Sequence, residues 1–366
     1  MDTAVPMSGS KSQDREGVTE AERNLLRKSV RDLLADIWPP ERAVDDAGNP
    51  ETIAKLWPAF ARQGLASLGS DTAEAGLREI VLVFEELGRA SCPAPLLGAV
   101  AANLALASQS SNVARALLED IHEGKATVAL ALGSFDGDPA AGRGEIRSGA
   151  LWGTLSFVEG AQTATHLLVF LDAGVAVVER GASGLKIQAT PGLAVPPFCE
   201  LTFENTPALR LEVPSASLAD IALVARLACA GRALGAAERA FDLAVDHAKV
   251  RKQFGQFIGQ FQAVQHKLAN CLISLDGARL ALDTAAQARD SGNPDWKVFA
   301  ASTVAFAGPA LRAVSIETHR ALGAIGYAEE HEAPRHFRRV HADLVRFGGA
   351  PRARAELADF LLGPVQ

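Results

Sequence analysis

From Ser217 to Val250 the sequence keeps a helical pattern for 34 residues, interrupted only by Gly231 and Gly235. A continuous helix of that length reaches ~50 Å. Its stability must come from burying an apolar face along that length, so it needs neighbours of similar reach. The sequence supplies them: Gly259–Ser291, Pro294–Leu322 and about His331–Leu344 carry three further helical patterns. Gly255, Gly292-Asn293-Pro294 and Gly323 punctuate the junctions. Four such helices predict an antiparallel bundle within residues 215–366.

Two other textures precede it. Residues 125–214 contain short β-rich runs such as ATVALAL, ALWGTLSFVEGA and FCELTFENTPALRLEV, with Gly and Pro between them at Gly133, Gly137, Pro139, Gly142, Gly144 and Gly149. They predict a compact β domain of six or seven strands, a small barrel or sandwich. Residues 18–124 read as helical. Thr19 caps ahead of Glu22, Leu25 to Leu34 recur at helical spacing, and Trp38-Pro39-Pro40 stops the helix. Further helices are expected at Ile53–Leu65, at Gly76–Leu87 with Gly88 as C-cap, and at Leu96–Ser108 and Asn112–Glu123. Residues 1–17 are polar and patternless and predict a disordered tail. The fold class is α+β, in the order helical domain, β domain, helical bundle, and no internal repeat is visible.

Composition narrows the function. Apolar residues make up 48% and charged residues 22%, which excludes wholesale disorder. The net charge of -7 lacks the basic excess of a nucleic-acid binder. Apolar runs such as Val81–Phe84 and Leu167–Phe170 are far shorter than the ~20 residues of a membrane span. Cys92, Cys199, Cys229 and Cys271 lie far apart with no CxxC pair, and no apolar h-region opens the chain. The expectation is buried, reduced thiols in a cytoplasmic protein without membrane or nucleic-acid partners. His331, His336 and His341 recur every five residues and miss the i, i+4 spacing of a helical metal site, so no metal is expected. The Gly133–Gly149 run lacks a phosphate-loop context and reads as a β-domain loop. The Arg335–Arg339 run reads as a solvated face rather than a phosphate contact.

One stretch is far more specific. Residues 251–268, RKQFGQFIGQFQAVQHKL, resemble the RxQFGxxIxxFQAVQHxLA signature of acyl-CoA dehydrogenases. Gly323-Ala324-Ile325-Gly326-Tyr327, with Glu330-His331 and Arg338-Arg339, is similar to the GGIGFTxEHxxxxxxRR segment of that family. Glu85-Glu86-Leu87-Gly88-Arg89, followed by Pro93 and Pro95, resembles its EELGRxxxPxP stretch. The likeness runs from about residue 20 to 350 and shares the domain order read above. It implies α,β-dehydrogenation of an acyl-CoA thioester with FAD, and an acceptor such as an electron-transfer flavoprotein. It further implies that Arg251, Gln253, Phe254, Gln262, Gly323 and Ala324 hold the adenosine half of a neighbouring subunit's FAD. The chemistry suits that role. A guanidinium forks two hydrogen bonds onto a pyrophosphate, Phe254 can lie on an adenine, glutamines offer neutral donors and acceptors, and glycines admit close backbone approach.

Elsewhere the sequence departs from the family. The base is often a Glu in a YEG-like triplet, but here that triplet is Arg346-Phe347-Gly348. The other known base position, on the first bundle helix, holds Ala225 with Arg226 beside it. Asp220 and Asp343 are the nearest acids along the chain. Gly133–Pro139 replaces a TEPxAGSD-like loop, and Phe157-Val158-Glu159 replaces the start of a WITNA-like strand end. In the family these two regions meet the flavin ring. Arg320 stands where the family often has Gln. The pattern resembles the base-lacking subunit of the α2β2 steroid side-chain dehydrogenases, whose homologous partner carries the Glu. Two other readings stay open: a homomeric dehydrogenase with a relocated base, and a non-catalytic acyl-CoA-binding or scaffold protein.

Overall fold

The computed structural model describes residues 18–70, 75–107, 109–133 and 142–363. The expected tail at 1–17 lies outside them, as does nearly all of the Gly133–Pro139 loop. The N-terminal part comprises α1 (Glu20–Ile37), α2 (Pro40–Asp45), α3 (Pro50–Ala54), α4 (Trp57–Arg62), α5 (Leu77–Arg89), α6 (Leu96–Leu106) and α7 (Asn112–His122). At the start of α1, the Glu22 amide donates to Thr19 Oγ1 at 3.3 Å, and the Glu22 carboxylate accepts from the Thr19 amide at 2.7 Å. The apolar period over Ile53–Leu65 is not one helix: α3 ends at Ala54, and α4 starts afresh with Pro58 in its first turn. Proline has no N–H to continue an earlier helix and tolerates only the first turn of a new one.

Gly88 is not a C-cap either. It lies inside α5, where a Cβ would sit 1.8 Å from the Arg232 carbonyl oxygen of the first bundle helix, α8 (Ser215–Val250). Gly235 of α8 answers it, because its own Cβ would meet the Glu85 carbonyl oxygen at 1.8 Å. The glycines that seemed to interrupt the long pattern leave α8 unbroken for 36 residues. Their missing side chains let α5 and α8 cross backbone to backbone.

The middle region forms two four-stranded sheets. The strands are β1 (Val128–Ala131), β2 (Gly142–Arg147), β3 (Ala150–Val158), β4 (His166–Phe170), β5 (Val175–Glu179), β6 (Leu185–Ala189), β7 (Cys199–Thr206) and β8 (Leu209–Leu211). One sheet has the order β1-β4-β5-β8 and the other β2-β3-β7-β6. Pairing is antiparallel except for β1 with β4, where Val128 registers with His166. Leu151, Leu155, Leu201 and Phe203 from one sheet share a core with Leu167, Val169 and Val178 from the other. The alternate residues Leu168, Phe170 and Val177 join the main helical core instead. Period-two alternation thus glues one sheet to its mate on one face and to the helices on the other. One more strand than the upper expectation is present, because β8 is only three residues long and has an exposed arginine at its centre.

The bundle continues through a two-stranded hairpin, β9 (Lys252–Gln253) and β10 (Gln256–Phe257), to α9 (Gln262–Asp290), α10 (Trp296–Leu322), α11 (Ala333–Val345) and α12 (Gly349–Leu362). α12 was not among the four expected helices. The Trp296–Tyr327 segment corrects the reading of apolar runs, since by length and composition it could cross a membrane. Half of its most apolar window is buried, with Ala300, Val304, Ala307, Leu311 and Val314 in the main core. At one end of the bundle Leu243 and Ala244 of α8, Leu268 of α9, Ala321 and Leu322 of α10, and Ala333 of α11 pack together.

Candidate functional site

That end carries both segments of the adenosine-side motif. Arg251 is the C-cap of α8; its amide donates to the His247 carbonyl at 2.9 Å, and its carbonyl accepts from the Ile258 amide at 2.8 Å. Its exposed side chain has no ion-pair or hydrogen-bond partner among the described residues. Phe254 is 91% exposed and sits in the left-handed region at φ 52°. It makes an edge contact with Phe261, at 6.2 Å between ring centres. Gln253 spends its amide on the Lys252 carbonyl at 2.8 Å. Gln262 opens α9 and is exposed. Arg251 and Phe254 thus place a cation and a large ring in water at the bundle end.

Gly323 (φ 63°) ends α10 and starts a 3-10 turn through Ala324 to Tyr327. A Cβ on Gly323 would meet nothing within 4 Å, so its use is conformational. Glu317 joins this segment to α9, pairing with Lys267 at 2.9 Å and Arg320 at 2.5 Å. Beneath the turn His319 is buried; it bonds the Ser315 carbonyl at 3.2 Å and meets Tyr327 edge-on at 5.8 Å. Burial pushes its pKa down to about 4, despite the Ser315 carbonyl, so it is neutral near pH 7. Among the other histidines, His336 is buried and bonds Glu332 at 3.3 Å. Burial alone would raise the Glu332 carboxyl, but His336 and Arg239 bring it to about 2. No group of three His, Cys, Asp or Glu that could hold a metal occurs among the described residues. All four cysteines are free and buried.

The flavin-ring and base positions of the resemblance are built differently. Glu159, just past β3, reaches between the sandwich and the bundle. It accepts from Arg232 of α8 at 2.8 Å, Arg339 of α11 at 2.8 Å and Arg346 at 2.6 Å. Arg232 also forks onto Asp343 at 2.8 and 2.7 Å. Arg339 spends a second donor on the Val195 carbonyl at 2.9 Å. Arg346 stacks over Phe347 at 4.5 Å and Phe198 at 5.3 Å. Burial opposes ionisation of Glu159, yet Arg232, Arg346 and Arg339 hold its carboxyl well below the usual range. Asp343 and Glu159 likewise overcome burial and raise Arg232 well above its ordinary value. Stripping one partner from such a buried pair typically costs ~3–5 kcal/mol.

Two sequence readings fail at this cluster. Asp343, read as a solvated helix acid, has no exposed side-chain surface and is locked by Arg232. Arg339, read as part of a solvated face, is buried; Arg335 and Arg338 of the same run pair with Glu329. Asp220 instead pairs with Lys297 at 2.7 Å on the bundle surface. Ala225 is buried, and Arg226 beside it forks onto Glu356 of α12 at 2.6 and 3.2 Å. Phe347 is buried at φ 57° and is followed by Gly348 and Gly349, both also at positive φ. Neither Ala225 nor Phe347, the positions the resemblance assigns to the base, is a carboxylate. Arg232 escaped sequence reading; its available signal was charge inside the apolar run ALVARLACAGRALG, where a buried cation must find a partner.

A helical region, a two-sheet sandwich and a long-helix bundle follow one another in this order, with Arg251 and Phe254 exposed at the bundle end. The family model "Acyl-CoA dehydrogenase, C-terminal domain" matches residues 220–358. The chain is 30% identical over 332 residues to "Acyl-CoA dehydrogenase IpdE2" of Mycobacterium tuberculosis, covering 87% of this chain and 91% of that protein. It superposes on a structure described as a "Tcur3481-Tcur3483 steroid ACAD" variant with a TM-score of 0.81 and 28% identity, over 93% of this chain and 98% of that one. The "ChsE4-ChsE5 complex from Mycobacterium tuberculosis" shares the fold, with a TM-score of 0.82 at 22% identity over 95% and 99% of the two chains. This chain belongs to the acyl-CoA dehydrogenase family.

The residues present fit the family's FAD at one end only. The free Arg251 guanidinium, open Phe254 and unobstructed Gly323 suit an adenosine diphosphate. At the positions the resemblance assigns to the ring, Glu159 and Arg346 are charged and bonded to each other, with Arg232 and Arg339 beside them, which does not suit an isoalloxazine.

Proposed function

We propose that this chain is the base-lacking subunit of a heteromeric acyl-CoA dehydrogenase. In this reading it lends Arg251, Gln253, Phe254, Gln262, Gly323 and Ala324 to the adenosine half of FAD bound by a homologous, Glu-bearing partner, in an α2β2 assembly. The partner supplies the base, and electrons leave to an acceptor such as an electron-transfer flavoprotein. One contrast carries the reading: Arg251 and Phe254, suited to a neighbour's cofactor, are exposed, whereas Glu159 and Arg346, at the positions the resemblance assigns to this chain's own flavin ring, are bonded to each other. FAD, when bound, accepts the hydride released from the acyl β-carbon. This chain's part is to hold and orient it.

The exposed apolar residues support a second bundle as the neighbour. Leu272, Ile273 and Leu280 of α9, and Phe299 and Phe306 of α10, are 37–69% exposed. An obligate interface covering them should bury at least ~2,000 Å². Names of the relatives point to steroid-derived acyl-CoA as the substrate class. The test is flavin content. Expressed alone, the chain should be colourless; co-expressed with a Glu-bearing homologue, it should yield a yellow, active complex. A yellow, active chain alone would replace this reading with a homomeric enzyme. A colourless protein in every combination would leave a scaffold.

A further inference from the structure

The cluster around Glu159 does more than fail to suit a flavin ring. A ring held between two groups needs ~3.5–4.0 Å to each face, or ~7 Å between them. In this chain the end of β3 and the segment after α11 are joined directly, by the 2.6 Å bond between Glu159 and Arg346. Arg232 closes the same space from α8, and its second partner Asp343 fixes it there. Free volume does exist nearby, a cavity of about 390 Å³ lined by Phe157, Leu193, Phe198, Arg312, His341 and Val345. None of the cluster's charged residues lines it.

We infer that Glu159, Arg232 and Arg346 decide which chain of the assembly holds the flavin ring, by plugging this chain's own ring position with a buried ion cluster. The inference rests on the half-site function proposed above and names the residues that enforce it. Three arginines and two carboxylates give the cluster one cation in excess. A substitution that removes one charge of each sign therefore keeps its balance. Glu159→Thr with Arg346→Tyr does this and restores the residue types of the family's WITNA-like and YEG-like segments.

The experiment measures released flavin per chain in the complex with a Glu-bearing homologue, and quenching of FAD fluorescence by this chain alone. The wild-type complex should hold one flavin per two chains. The double variant should approach one per chain and bind FAD saturably on its own, where the wild-type chain shows no binding. One flavin per chain in the wild-type complex overturns the plug, as does a folded double variant with unchanged stoichiometry and no binding alone. If the double variant does not fold, Glu159→Gln replaces it, and wild-type stoichiometry still decides. The two readings separate cleanly. A complex that stays at half stoichiometry with an inert, folded variant sinks the plug and leaves the half-site function standing. Absence of flavin from every wild-type combination sinks the half-site function, and binding gained by the variant chain alone would still support the plug.

Discussion

Removing the Arg251 side chain tests the adenosine-side assignment without disturbing the fold. The two hydrogen bonds that anchor this residue, to His247 and from Ile258, are main-chain bonds and survive truncation. The guanidinium itself has no hydrogen-bond or ion-pair partner among the described residues, so Arg251→Ala should change folding stability by no more than ~0.5 kcal/mol. If the guanidinium forks onto the pyrophosphate of a partner's FAD, its loss should cost ~1.5–3 kcal/mol of affinity, or ~10–150-fold. Arg251→Lys should lose much of the same, because an ammonium cannot fork. An internal control exists in His247, whose pKa is lowered by burial first and then by the charges of Arg251 and His331. In Arg251→Ala it should move back up, an NMR titration that confirms the charge was near without reference to flavin. The assay is FAD titration of the apo-complex with its partner, alongside thermal unfolding. Unchanged FAD affinity in a folded Arg251→Ala complex would refute the assignment and most of what the signature implies.

Asp343→Asn should destabilise the chain by ~3–5 kcal/mol in denaturant unfolding, because Arg232 loses its buried counter-charge; a change under ~1 kcal/mol would show the pair to be dispensable. Asp220→Asn removes a half-exposed pair with Lys297 and should cost no more than ~1 kcal/mol, with acyl-CoA oxidation by an artificial acceptor nearly unchanged. A fall of ~100-fold at full flavin occupancy would place the base on this chain. Gly235→Ala puts a Cβ 1.8 Å from the Glu85 carbonyl oxygen and should cost ~1–3 kcal/mol by forcing α5 from α8; wild-type stability would refute the close crossing. His319 takes its proton at about 4 when folded, against 6.5 as its ordinary value. Its contribution is complete above pH 6.5 and is lost as the pH falls toward 4. His319→Gln should flatten the stability profile in that window, and an unchanged slope would clear His319 of the effect.

Amphipathic periodicity and turn residues were enough to read the three textures, the capped start of α1 and the long bundle helices, because they are local properties of the chain. The signature around Arg251 was equally legible, since its residues lie on one continuous turn. The helix was read through Gly231 and Gly235, but why glycine stands there was not legible. A glycine reads locally as a break, and only the approach of α5 shows that the missing Cβ makes room for another backbone. Asp343 and Arg339 failed for the same reason: a charge on an amphipathic helix reads as solvated until a counter-charge from far along the chain is seen beside it. Glu159 lies 73 residues from Arg232 and 187 from Arg346, so no window of sequence contains the cluster. The sequence by itself determined most of the long helices and strands and the resemblance carried by residues 251–268, because local backbone preference and side-chain chemistry decide those. Only the tertiary structure decided that Glu159, Arg232, Arg339, Asp343 and Arg346 lock into one buried cluster, because the energy of a buried ion depends on partners that folding alone brings within hydrogen-bond distance.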